Sequence, residues 1–187
     1  SKYYQLAISR KPDDAAFYSN LGLSAEKRGN LVFAKEQYGK ALNLAPRKST
    51  YLNNLGLIHL KEKEFDKATY FFRTAVDNNK GVAIFYENLA IACELSGKAD
   101  EAEKHYEKAA ELEPKNPTYL NKQGLIKEYN QKDEEALESY NKAPTLSPNS
   151  AGFLANTIDE LARLGKYEDA ESMFLASLDI KKDQAEV

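Results

Sequence analysis

The chain has one cysteine and two histidines in 187 residues, and these scarcities exclude several chemistries at once. A single thiol, Cys93, cannot form an intrachain disulfide. His59 and His105 have no partner at metal-ligand spacing, and neither a glycine-rich phosphate loop nor a nucleophile motif is present. No metal, cofactor or catalytic residue is therefore expected, and the chain reads as non-enzymatic. No apolar run approaches the ~18 residues that a membrane span needs, so no membrane insertion is expected. No signal peptide is visible, which leaves the cytoplasm as the default expectation. A basic excess is missing too: 26 Lys and Arg face 29 Asp and Glu, net −3, which argues against a nucleic-acid partner. The balance is uneven along the chain. Residues 1–82 hold 14 basic and 8 acidic side chains, net +6, and residues 83–187 hold 12 and 21, net −9.

What is present is a period of 34 residues, without insertion or deletion. It superposes Tyr18, Leu21, Gly22, Ala34, Tyr38, Ala41 and Pro46 on Leu52, Leu55, Gly56, Ala68, Phe72, Ala75 and Lys80. The next copies read Tyr86, Leu89, Ala90, Ala102, Tyr106, Ala109 and Pro114, then Leu120, Gln123, Gly124, Ala136, Tyr140, Ala143 and Pro148. Repetition at this length means stacked supersecondary units that bury a shared core. Apolar residues recur at helical spacing in each half, predicting helix A near repeat positions 2–14 and helix B near 18–31. Gly29, Gly97 and Gly165 mark the A–B turn. Aromatics at position 3 (Phe17, Tyr51, Phe85, Tyr119, Phe153) and position 24 (Tyr38, Phe72, Tyr106, Tyr140, Phe174) predict two buried rows. Cys93 falls at a packed position of helix A.

These residues resemble the tetratricopeptide repeat, whose signature sets a bulky residue, Leu-Gly, Ala, an aromatic, Ala and Pro at those offsets. Five copies fit at 15–48, 49–82, 83–116, 117–150 and 151–184, the last divergent, with 185–187 as a tail. Residues 1–14 read as the second helix of a truncated preceding repeat, with Tyr4, Ala7 and Pro12 in register. The resemblance implies an all-α, right-handed superhelical solenoid of stacked antiparallel helix pairs, acting as an interaction scaffold. Two departures stand out. Pro144 lies in the last turn of a helix B and predicts an early end or kink near Asn141–Ala143. In the fifth copy Thr157 and Ile158 replace Leu-Gly, which predicts an irregular junction between copies four and five.

The resemblance also implies that the A helices line a concave surface, with positions 2, 5, 6, 9, 12 and 13 exposed. Position 6 reads Asn20, Asn54, Asn88, Lys122 and Asn156. Asparagine is a poor interior helix residue, so its recurrence on an accessible face calls for a reason. A carboxamide can bond both the carbonyl and the amide of an extended peptide. The row is similar to the asparagine ladder in the repeat arm of O-linked N-acetylglucosamine transferases. The alternative is that these amides brace neighbouring helices.

Position 9 adds Leu23, Leu57, Ile91 and Leu125, broken by Asp159, with Leu60 and Leu95 widening the stripe if it faces the groove and is not covered. Lys61, Glu94, Glu128, Tyr129 and Arg163 flank it, and Lys122 could pair with a ligand carboxylate. The co-chaperone carboxylate clamp is incomplete, because Asn53, Leu57, Thr118 and Lys122 occupy its places. The expected function is a scaffold binding a protein or peptide in the groove. Self-association through the ends or the opposed charged halves is one alternative. The substrate-recruiting arm of a larger enzyme, such as a glycosyltransferase, is another.

Overall fold

A computed structural model describes the backbone of residues 2–185, and the side chains of these residues other than 2, 5 and 179–185. Residues 186 and 187 of the expected tail lie outside the described residues, and residue 185 closes the last helix. The described residues form eleven α-helices: α1 (Lys2–Arg10), α2 (Ala15–Glu26), α3 (Leu31–Leu44), α4 (Ser49–Lys61), α5 (Phe65–Asn78), α6 (Ala83–Leu95), α7 (Ala99–Leu112), α8 (Pro117–Tyr129), α9 (Asp133–Leu146), α10 (Ala151–Arg163) and α11 (Tyr167–Ala185). They alternate as A and B helices, and each from α2 onward begins about one residue earlier than the apolar spacing predicts. Asp14, Asn30 and Asn116 cap α2, α3 and α8 by accepting from Ala16, Phe33 and Thr118 amides. The chain divides into two compact units, residues 1–97 and 98–187.

In the first unit α2 packs on α3 and α4 on α5, around Tyr38, Phe72, Ile58, Leu89 and Cys93. Glycine at position 8 exists here for lack of volume: a Cβ on Gly22 would lie 2.8 Å from the Tyr38 ring, and one on Gly56 2.5 Å from Phe72. The A–B turn of repeat one uses Gly29 at φ 79°. Repeat two has Lys63 there, at φ 60°, a conformation costly for a residue with a Cβ. The turn is held from both sides, by Lys35 of α3 on Glu62 and by His59 on Glu64.

In the second unit α8 packs on α9 and α10 on both α9 and α11. Gly124 again makes room for a ring, with a Cβ there falling 2.5 Å from Tyr140. Gln131 repeats the glycine-free turn at φ 61°, and here the charges are inverted: Glu103 of α7 accepts from Asn130 at 2.6 Å and Lys132 at 2.8 Å. Burial opposes ionisation of Glu103, yet the hydrogen bonds from Lys132 and Asn130 hold its carboxyl below the usual range.

The helices correct two expectations. Helix α9 does not end early at Pro144: it runs to Leu146, as long as α3, α5 and α7 at 14 residues. Proline removes the amide that would bond the Tyr140 carbonyl, and the Thr157 hydroxyl reaches that same carbonyl at 3.3 Å from α10. Thr157 also lies 3.0 Å from the Phe153 carbonyl and is fully buried. The single proton of this hydroxyl is shared between the two carbonyls, so Thr157 partly replaces the donor that Pro144 lacks. Phe174 leaves the predicted ring row: it is 50% exposed, whereas Tyr38, Phe72, Tyr106 and Tyr140 are buried. Ile158, in the glycine's place, packs instead against Leu137, Leu161 and Ala170.

Candidate functional site

The A helices present one open stripe in each unit. Positions 2 and 13 are exposed in all five copies: Ala16, Thr50, Ile84, Thr118 and Gly152, then Lys27, Lys61, Leu95, Tyr129 and Arg163. Positions 6 and 9 lie between them at helical spacing. In the first unit the stripe carries Asn20, exposed, and Asn54, half-buried, beside Leu23, exposed, and Leu57 and Ile91, half-buried. Leu95 extends it at 51% exposure. In the second unit it carries Leu125 and Tyr129, both exposed, with Lys122 and Asn156 half-buried and Asp159 exposed.

Asn88 departs from the expected accessible ladder. It is buried, and its Nδ2 donates to Asn53 Oδ1 at 2.8 Å. Asn156 does the same with Asn121 at 2.9 Å. A position-6 amide in these repeats therefore binds the position-5 amide of the preceding repeat, which satisfies a buried donor that would otherwise cost ~1–3 kcal/mol. Two of the four asparagines brace helices in this way. Asn20 and Asn54 leave their carboxamides on the open stripe of the first unit.

The charged flank is also internally engaged. Glu26 accepts from the Tyr38 hydroxyl at 2.7 Å and from Lys61 at 2.6 Å. Glu128 accepts from Tyr140 at 2.6 Å, with Arg163 3.9 Å away. Burial, then the carboxylate beside each ring, pushes both phenols up. Sequence reasoning missed this pairing, although its signal is legible: position 12 reads Glu, Leu, Glu, Glu, Ala where position 24 reads Tyr, Phe, Tyr, Tyr, Phe. Glu160, almost fully buried, shares Arg163 with Asp133 and leaves its Oε1 without a partner. Burial pushes its carboxyl up against the pull of Arg163.

His59 is placed as a packed side chain, as its position predicts, but its surroundings were not foreseen. The ring stacks on Phe71 with centroids 5.1 Å apart and planes 5° from parallel. Its Nδ1 lies 2.6 Å from Glu64 Oε2 and 3.8 Å from Glu62 Oε2. Hydrogen bonds from Lys67 and then His59 hold the Glu64 carboxyl down at about 2.

Antiparallel helix pairs repeating every 34 residues, with a small residue under an aromatic at each regular crossing, define a helical-hairpin repeat protein. Tetratricopeptide repeat models match residues 34–83 and 83–116, and the chain is a tetratricopeptide repeat protein. Its fold is shared by the crystal structure of MamA protein, at 19% identity and TM-score 0.83 over 94% of this chain and 96% of that one. YrrB, described as a TPR protein with an unusual peptide-binding site, matches at 20% identity and TM-score 0.78 over 96% and 93%. PilF of Pseudomonas aeruginosa matches at 21% identity and TM-score 0.80 over 98% and 87%. Such identities establish the fold alone. No curated protein sequence matches the chain. The fold supports a protein–protein interaction scaffold. No helix among the described residues is long and apolar enough to cross a membrane.

Proposed function

We propose that the open stripe of the first unit binds an extended peptide or partner segment, with no chemistry of its own. The observation that carries this reading is the pairing of carboxamides not engaged by a neighbouring asparagine, Asn20 and Asn54, with the half-open apolar row Leu23, Leu57 and Ile91. Amides bond a peptide backbone without regard to sequence, and the apolar row takes alternate side chains. Stacked helices lie ~8–10 Å apart and an extended chain advances ~3.3 Å per residue, so one repeat spans about three ligand residues. Lys122, Leu125 and Asn156 form the corresponding stripe of the second unit, where Asn156 braces Asn121 as Asn88 braces Asn53 in the first unit. Peptides selected on the wild-type chain from a random displayed library test this. Asn54→Ala with Leu57→Asp is expected to weaken them at least tenfold, and unchanged affinity contradicts the proposal.

A second reading is self-association. The exposed Arg47, Lys48 and Lys80 on the B–A loops of the first unit make no ion pair among the described residues. The exposed Glu134 and Glu168, one repeat apart in the second unit, make none either. Exposed charges of opposite sign in the two units fit two copies held by salt-sensitive attraction. Sedimentation velocity at low and high salt tests it: association that fades with salt supports the reading, and a monomer throughout removes it.

A further inference from the structure

We infer that His59, Glu62 and Glu64 form a binding site for one zinc ion at the A–B turn of repeat two. The three ligand atoms lie within 4.8 Å of one another. Zinc bonds nitrogen and carboxylate oxygen at ~2.0–2.2 Å in tetrahedral geometry, which requires ligand atoms about 3.4 Å apart. The observed 2.6 Å from His59 Nδ1 to Glu64 and 3.8 Å to Glu62 bracket that value. The first distance opens and the second closes by less than about 1 Å, within the freedom of glutamate rotamers on a turn.

The imidazole is preorganised for this. Stacking on Phe71 fixes the ring plane, and the side chain is 10% exposed while Glu62 and Glu64 are 24% and 36% exposed, so the carboxylates form the mouth of the site. Lys63, in its left-handed conformation, is the residue between the two carboxylates. The cluster already collects positive charge: Lys35 sits on Glu62 and Lys67 on Glu64 at 2.8 Å. Exposed pairs of this kind contribute little to stability, and Lys67 is 61% exposed, so both ammonium groups can swing into water when a divalent ion enters. On binding, the Nδ1 proton that His59 shares with Glu64 is released to water, and the Nδ1 lone pair goes to the metal while Nε2 keeps its own proton. Water fills the fourth position. Bound zinc would tie the end of α4 to the start of α5, beside the face that α3 supplies through Lys35.

The test is isothermal titration of zinc chloride into the full chain carrying Cys93→Ser, which removes its one thiol. One equivalent is expected to bind, and His59→Gln and Glu64→Gln are each expected to weaken it at least tenfold. Cobalt substitution should give a visible d–d band that His59→Gln abolishes. Far-UV circular dichroism of each variant checks that the helices persist; for a variant that loses them, Glu62→Gln replaces it and must weaken binding likewise. No saturable binding, or binding that both variants leave intact, overturns the assignment.

Discussion

In repeat two Gly56 lies beneath the Phe72 ring, which is fully buried, whereas in repeat five Ile158 stands in the glycine's place and Phe174 is half exposed. The same hairpin is closed in both. In the first case the ring fills the crossing and the backbone must leave it room. In the second an aliphatic side chain packs at that point, and the ring faces outward. Position 8 and position 24 therefore behave as one joint choice, and a residue at either has meaning only with its partner. The fifth repeat also replaces leucine by Thr157, whose hydroxyl serves the carbonyl stranded by Pro144.

The contrast is broken most severely by Gly56→Ala. Its Cβ would sit 2.5 Å from Phe72, and overpacking of this kind costs ~1–3 kcal/mol; a urea midpoint equal to the wild type's would show that the ring yields freely. Next, Thr157→Val should destabilise by about 1–2 kcal/mol by leaving the Tyr140 carbonyl unpaired. Adding Pro144→Ala restores an amide donor, so a double-mutant cycle should show positive coupling, and strict additivity would sever the proposed link. Gly152→Ala, with nothing within 4 Å of the new Cβ, should stabilise α10 by up to ~1 kcal/mol. A loss of stability there would mean that helix glycines in this chain share a reason other than ring packing.

The smallest effect concerns Glu160. Burial raises its folded pKa above its unfolded value, so the folded state takes up a proton first and stability rises as pH falls through the folded pKa. Wild type should gain thermal stability relative to Glu160→Gln as the pH falls from neutrality through the raised folded value. The carboxyls with lowered values, Glu36, Glu64, Glu103 and Glu138, shift in the opposite direction, and the comparison with Glu160→Gln isolates the one carboxyl. A difference that stays constant as the pH falls would contradict a raised folded value for Glu160.

Much of the fold was legible because helical period and repeat period reinforce one another. Leu21, Leu55 and Leu89 all fall in the core as their spacing requires, and four position-24 rings are buried. The misreadings share a cause. Periodicity identifies the face a side chain occupies and is silent about which neighbouring helix claims its polar atoms. Asn88 lies on the helix face that its spacing predicts, yet it is buried there with its amide on Asn53, and the only trace in the chain is asparagine at position 5 one repeat earlier. Pro144 and Thr157 each look like damage when read alone; what links them is the bond from the Thr157 hydroxyl to the Tyr140 carbonyl, between different helices and 17 residues apart. Phe174 followed the pattern but not its partner, because Ile158 had removed the space.

The peptide-binding stripe is tested most directly by the side-chain amide signals of a nitrogen-15-labelled chain titrated with a library-selected peptide. The Asn20 and Asn54 carboxamides should shift to saturation while those of Asn88 and Asn156, engaged with their neighbours, stay in place. Shifts confined to the B helices, or Asn20 and Asn54 unmoved at saturating peptide, would contradict the account.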